Sequence, residues 1–215
     1  MKAVVWNCRG AGGPLTISQL KEVLNFHSSN VVFLCETKNH EKFMRNVRKE
    51  DQPTWLVYVY ASTASNTRKE QWKYIEERKK DWGEAWVIVG DFNDLKSDEE
   101  KWGGRERAEG SFTDFNCFIR ENNLMDLEYQ GVPWTWSSSW EGDREVKERL
   151  DRCLCSTEWM QRYEKARCKH VETEASNHLM LIIDTNPENN KRRRRFYFDQ
   201  RWTKNPETKD VIQGA

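Results

Sequence analysis

The chain has 215 residues, 37% hydrophobic and 33% charged, and its 35 basic and 35 acidic residues cancel to a formal net charge of zero. That length carries one large domain or two small ones, and 11 Trp with 9 Phe supply core volume, which excludes a disordered chain. The balanced charge gives no global basic field to argue for nucleic acid, and no apolar run approaches a membrane span.

In chain order, the first predicted element is a strand, Ala3–Asn7, that runs into the turn-rich loop Arg9-Gly10-Ala11-Gly12-Gly13-Pro14. Thr16 is expected to cap a helix whose inner face carries Ile17, Leu20, Val23, Leu24 and Phe26. Val31–Cys35 is a continuous apolar run, read as a buried strand that stops at Glu36. Trp55–Tyr60 is a further strand and Asn66–Trp82 a charged amphipathic helix. Trp86–Val89 is another buried strand, stopping at Gly90-Asp91-Phe92-Asn93. Ser111–Asn122 is a helix with Phe112, Phe115, Phe118 and Ile119 inward. Trp134–Ser137 and Glu148–Cys155 are expected to pair, with Leu150, Arg152 and Leu154 on one face and Arg149, Asp151 and Cys153 on the other. Ser156 caps a short helix, and strands at Ala166–Glu172 and His178–Ile183 close the series. The interleaving predicts an α+β sandwich with sheets inside and helices outside.

The six cysteines form no C-x-x-C pair and show no zinc spacing. Cys8, Cys35 and Cys153 fall in predicted strands, so buried free thiols in a reducing compartment are expected. The N-terminal apolar stretch is too short for a signal peptide, and an intracellular protein is expected.

Several of these strands end in polar residues that are costly to bury. Asn7, Glu36 and Asp91 follow apolar runs, Asn93 comes two residues after Asp91, Asp151 sits inside R-L-D-R, and His178 opens H-L-M-L-I-I. Singly, each has an ordinary explanation. A strand-end carboxylate is usually the first exposed residue, Asn7 could start its loop, and Asp151 could partner Arg149 or Arg152. Together, if the ends converge, they make a cluster of carboxylates, amides and one imidazole. That donor set suits a hard cation, Mg2+ with Mn2+ as the alternative, and does not suit zinc. The matching chemistry is metal-assisted attack of water on a phosphodiester, with a carboxylate taking the proton.

The motifs W-N-C-R-G (6–10), F-L-C-E-T-K (33–38), V-I-V-G-D-F-N-D (87–94), E-K-W-G-G (100–104), G-V-P-W-T-W (131–136), R-L-D-R (149–152) and S-N-H (176–178) stand in this order. In them the chain resembles the endonuclease/exonuclease/phosphatase superfamily, and more narrowly the endonuclease domain of plant non-LTR (LINE-type) retrotransposons. The resemblance implies a four-layered α/β sandwich of the deoxyribonuclease I type over residues 1–184, and a basic tail over 185–215 like the segment that follows the nuclease domain. It implies that Glu36 holds Mg2+ with Asn7 assisting. Asp91 orients or deprotonates water with Asn93 in support, Tyr60 lies near the scissile phosphate, and His178 contacts that phosphate. Asp151 fixes the tautomer of His178, a pairing that chemistry also favours. Thr135 and Trp136 are expected on the DNA-facing surface, and the block Lys191-Arg192-Arg193-Arg194-Arg195 is a candidate phosphate grip. DNA is the implied substrate of a nuclear monomer with no membrane partner and no tightly bound organic cofactor.

Two departures stand out. The family pattern Ser-Asp-His reads Ser-Asn-His here, so Asn177 lacks a charge and impaired chemistry is expected. Only 24 positions separate Glu36 from Tyr60, so strands usual in the family are expected to be missing. The readings left open are a DNA-nicking enzyme, a catalytically inactive remnant with at most weak nucleic-acid binding, and, least supported, a phosphatase of small esters.

Overall fold

The computed structural model describes residues 1–37, 54–138 and 144–187. The fold is built on β1 (Lys2–Asn7), which is buried from Ala3 to Asn7 because both of its edges and both of its faces are covered. It pairs in parallel with β2 (Val31–Cys35) and antiparallel with β12 (Met180–Asp184). With β11 (Arg167–Val171) and β7 (Tyr129–Gln130) they make a five-stranded sheet of order β2-β1-β12-β11-β7. A second, four-stranded sheet has order β3-β4-β10-β6, from β3 (Trp55–Tyr60), β4 (Trp86–Asp91), β10 (Asp151–Ser156) and β6 (Leu124–Asp126). A third, of three short strands, joins β5 (Lys101–Trp102), β9 (Lys147–Glu148) and β8 (Trp136–Ser137).

The layers follow from where the apolar side chains go. Ala3, Val5, Val87, Val89, Cys153, Cys155, Leu181 and Ile183 fill the space between the two large sheets. On the outer face of the first sheet, Leu20 and Val23 of α1 (Pro14–His27) pack on Trp6, Cys8 and Met180. On the outer face of the second, α2 (Ser65–Arg78) and α3 (Thr113–Glu121) bring Trp72, Phe115 and Phe118 onto Ile88, Phe92 and Leu154. Helix, sheet, sheet and helices make the expected four layers. Ser156 caps α4 (Thr157–Arg162) by accepting from the Trp159 N–H at 3.2 Å, as its position predicts. All six cysteines are free thiols, and all but Cys117 are buried. Among the described residues, no helix is long and apolar enough to cross a membrane.

Three expectations change. Helix α1 starts at Pro14 with Gly13 as its cap, because proline is pre-set for a first helical position, and Thr16 is buried within the first turn. Ile17 and Phe26, expected inward, are 42% and 60% exposed. The predicted strand Glu148–Cys155 divides at Arg149-Leu150, where the chain passes from the small sheet to the four-stranded one. Its alternation survives the break: Leu154 faces the helices, while Cys153 and Cys155 face the inter-sheet core. The shortened stretch between Glu36 and Tyr60 falls largely on residues 38–53, outside the described residues. Among the described residues, β2 and β3 each stand at one edge of their sheets. Arg192, Arg193, Arg194 and Arg195, with the rest of 188–215, also lie outside the described residues.

Buried ion pairs fix β10. The fully buried Arg152 makes a fork with Glu100 at 2.9 and 2.6 Å and reaches Asp126 at 3.2 Å. Arg149 forks onto Asp126 at 2.9 and 2.8 Å. Both arginines are therefore committed elsewhere, and Asp151 between them is left to other partners.

Gly90 lets β3 and β4 approach. Its φ is +144°, and a Cβ there would lie 2.0 Å from the carbonyl oxygen of Val59. Gly90→Ala is expected to cost about 3 kcal/mol or more of stability by urea unfolding, since backbone opposes the new atom and the φ disfavours any side chain. A loss under about 1 kcal/mol would contradict this close approach.

Candidate active site

The ends of the two large sheets meet. In the second sheet, register places Tyr60 beside Asp91 and Asp91 opposite Asp151. In the first, Asn7 pairs with Cys35, which puts Asn7 beside Glu36 at the same end. His178 precedes β12 and forms a single bridge with Trp136, so the small sheet also reaches this point.

Asn7 joins the two sheets. Its Nδ2 donates to Glu36 Oε1 at 2.9 Å and to Asp91 Oδ2 at 3.1 Å. Its Oδ1 accepts from the Arg9 backbone N–H at 3.3 Å. The Asn7 amide nitrogen thus faces both carboxylates and orients them. Tyr60 donates its hydroxyl to Glu36 Oε1 at 2.8 Å. Glu36 and Asn93 both have positive φ, 50° and 48°, a conformation uncommon for Glu and readily adopted by Asn. Asn93 donates its backbone N–H to Asp91 Oδ1 at 2.9 Å and its side chain to Ala61 O at 2.8 Å. It ties the loop after Tyr60 to Asp91.

His178 Nδ1 lies 2.9 Å from Asp151 Oδ2 and 3.9 Å from Asp91 Oδ2. The Asp151 N–H donates to Thr135 Oγ1 at 2.8 Å. Thr135 has no exposed surface, so the expectation that it faces DNA is corrected: it is a strut beneath Asp151. Trp136 is half-buried, with its ring 6.5 Å from that of His178.

The electrostatics follow from burial of like charges. Asp91 is pushed up to about 7 by burial and by the Asp151 carboxylate, against the opposing pull of His178 and the Asn7 hydrogen bond. His178 is pushed down by burial, but the Asp151 carboxylate and its hydrogen bond outweigh this and hold it above its usual value. Burial also pushes Glu36 up, and the hydrogen bonds from Asn7 and Tyr60 with the charge of Arg9 bring it below the usual range. Tyr60 is raised by burial and by donating to Glu36.

These residues fit a hard cation. Two buried carboxylates, Asp91 and Asp151, stand opposite each other across the β4–β10 ladder, and burial with their repulsion raises Asp91. Ligand atoms of Asp91, Asp151 and His178 lie within 4.8 Å of one another. Since His178 Nδ1 is already bonded to Asp151, the free donors are carboxylate oxygens, and Glu36 is the most open of these, with its side chain 27% exposed.

Residues 4–167 match the Endonuclease/Exonuclease/phosphatase family. The chain belongs to this family. Solved structures share its fold. The 3'-5' exonuclease of Neisseria meningitidis superposes with a TM-score of 0.65 at 14% identity, over 86% of this chain and 99% of that one. A Neisseria 3' phosphatase bound to a product DNA hairpin gives 0.64 at 12% identity, over 86% and 98%. The endonuclease domain of TRAS1, a telomere-specific non-LTR retrotransposon, gives 0.62 at 12% identity, over 85% and 97%. At these identities the likeness speaks for the fold. No curated protein matches this chain in sequence.

Reading the sequence alone misses three things at this family site. Arg9 lies against it, its Nη1 donating to Asn177 Oδ1 at 2.9 Å, and Arg9 Nε is 3.6 Å from Glu36 Oε2. Ser176 accepts from the His178 N–H at 3.1 Å and donates to Asn7 O at 2.8 Å. Arg68 donates to Asp94 Oδ2 at 3.1 Å and to the carbonyls of Ser62 and Thr63, bracing both loops that carry the site. Only the turn-rich W-N-C-R-G loop offered a signal for Arg9, and nothing marked it off from the other arginines.

Proposed function

We propose that this chain is a Mg2+-dependent endonuclease that hydrolyses a phosphodiester bond of DNA, with Mn2+ able to serve. The observation that carries the reading is the Asn7 amide, bonded at once to Glu36 of one sheet and Asp91 of the other. It assembles a buried, carboxylate-rich site where the strands end. Glu36 and Asp91 would hold the cation, which supplies charge to a developing phosphorane and acidifies water. Asp91 would also take the proton of the attacking water. His178, held through Nδ1 by Asp151, offers Nε2 to a non-bridging phosphate oxygen. Tyr60 positions Glu36, and Asn93 holds Asp91 and the adjoining loop.

A retrotransposon origin of the plant LINE type, and with it nuclear residence, rests on the seven sequence motifs. The test of activity is nicking of supercoiled plasmid by the purified chain in Mg2+. Nicking that EDTA abolishes and that Asp91→Ala lowers at least about 1,000-fold is expected. A folded chain that leaves plasmid intact in both Mg2+ and Mn2+ sinks the reading, and the inactive remnant takes its place.

A further inference from the structure

The residue beside His178 is Asn177, where the family pattern has an acid, and its contacts do not look like those of a vacated site. Its Oδ1 accepts from Arg9 Nη1 at 2.9 Å, and its Nδ2 donates to the carbonyl of Ser137 at 3.0 Å. The backbone of Asn177 is also paired with β8, its carbonyl accepting from the Ser137 N–H at 3.0 Å. An aspartate could make the first side-chain bond but has no donor for the second, and would set a carboxylate oxygen against a carbonyl oxygen. The amide is the group that satisfies both neighbours.

Arg9, the residue so held, is placed for work outside the fold. It has a left-handed backbone with φ 48°, and its N–H is bonded to Asn7 Oδ1. That is the same amide that joins Glu36 to Asp91. Its side chain is 49% exposed and lies at the rim of the acidic cluster, 3.6 Å from Glu36 Oε2. A guanidinium has five N–H donors in a planar fork, and the contact to Asn177 uses one of them. A half-exposed fork anchored at one corner, beside the proposed hydrolytic site, suits bidentate capture of a phosphate.

We infer that Arg9 is a substrate-phosphate-binding residue and that Asn177 is its positioning residue, fitted to Arg9 rather than left over from a lost acid. The inference rests on the endonuclease reading, because the phosphate it binds is one of the nucleic-acid backbone at that site. An aspartate at position 177 would pair with the Arg9 charge and withdraw it from the substrate.

The test is binding of a fluorescein-labelled 20-base-pair DNA duplex in Mg2+ across a KCl series, with Asp91→Asn as the parent so that the duplex is not cut. Adding Arg9→Ala is expected to weaken binding about tenfold at moderate salt and to flatten the log-log salt slope by about 0.9, the mark of one lost phosphate contact. Arg9→Lys keeps the charge and is expected to keep the slope while losing part of the affinity. Asn177→Asp is expected to behave like Arg9→Ala, and Asn177→Ala to add nothing further once Arg9 is alanine. A slope unchanged in a folded Arg9→Ala protein, checked by thermal melting, overturns the inference. So does Asn177→Asp binding more tightly or nicking faster, which is what repair of a lesion would give. Failure of the endonuclease reading looks different: wild type does not nick, and the parent shows no salt-dependent binding at all.

Discussion

Asp91→Asn is expected to abolish plasmid nicking and, at the same time, to raise the melting temperature of the metal-free protein at pH 8. The two effects have one cause. Asp91 is 1% exposed and faces Asp151, itself 3% exposed, across the β4–β10 ladder. Ionising both without a cation between them is costly, and burial with the Asp151 carboxylate raises Asp91 to about 7. A neutral group at this position is therefore favoured at high pH. Against this, an amide cannot accept from both Asn7 Nδ2 and the Asn93 N–H, so one hydrogen bond is lost, for about 1 kcal/mol or more. Relief of the repulsion is expected to outweigh the lost bond, so that the variant melts a few degrees above wild type. Nicking falls by at least about 1,000-fold, because the amide neither takes a proton nor supplies charge to a cation. A site that destabilises its own fold for function has this signature. An Asn variant that melts below wild type in EDTA at pH 8 would show that the carboxylate is not under this repulsion.

The same groups set the pH dependence of the metal-free fold. Asp91 binds its proton more tightly folded than unfolded, so its contribution is fully present below about pH 4 and is lost as pH rises toward about 7. His178 is also raised, so its contribution holds below its unfolded value of 6.5 and is lost as pH rises through its higher folded value. Glu36 is lowered, so its contribution is present above 4.5 and is lost as pH falls through its folded value. In EDTA, melting temperature is therefore expected to be highest at mildly acidic pH and to fall toward pH 8. Mg2+ should recover part of the loss at pH 8 in wild type and less of it in Asp91→Asn.

What the sequence disclosed and what it withheld divide along the range of the interactions. The runs ending at Asn7, Glu36 and Asp91 were legible because a polar residue closing a buried strand is a local pattern. The layers were legible because Trp72, Phe115 and Phe118 keep a helical period and Ala3, Val5, Val87 and Val89 fill strands. Register was not. That Asp151 stands opposite Asp91, or that Trp136 bridges His178, depends on pairings between segments tens of residues apart. Thr135 was placed on the DNA face by the family resemblance alone, and only the tertiary structure shows it buried and accepting from the Asp151 N–H. Arg9 and Asn177 are 168 residues apart, and neither looks special without the other.

His178→Ala is expected to slow nicking about 100- to 10,000-fold, and Asp151→Asn to slow it nearly as much while leaving the histidine in place. Two jobs are open to Asp151. In the structure its Oδ2 is 2.9 Å from His178 Nδ1, and its own N–H is fixed by Thr135. Held so, it keeps the proton on Nδ1, leaves Nε2 for the phosphate of the proposed reaction and supports an imidazolium against the pull of burial. Yet its carboxylate is also close enough to Asp91 and His178 to share a cation. Double replacement separates the two. If Asp151 acts through His178, adding Asp151→Asn to His178→Ala should slow nicking less than about threefold further, because the group it orients is already gone. The Mg2+ concentration for half-maximal nicking should then stay the same in Asp151→Asn. If Asp151 is a ligand, losses multiply in the double variant and the Mg2+ midpoint rises. The short hydrogen bond to Nδ1 ties Asp151 Oδ2 to the imidazole, so the first outcome is expected, and Glu36 with Asp91 then carries the metal without Asp151.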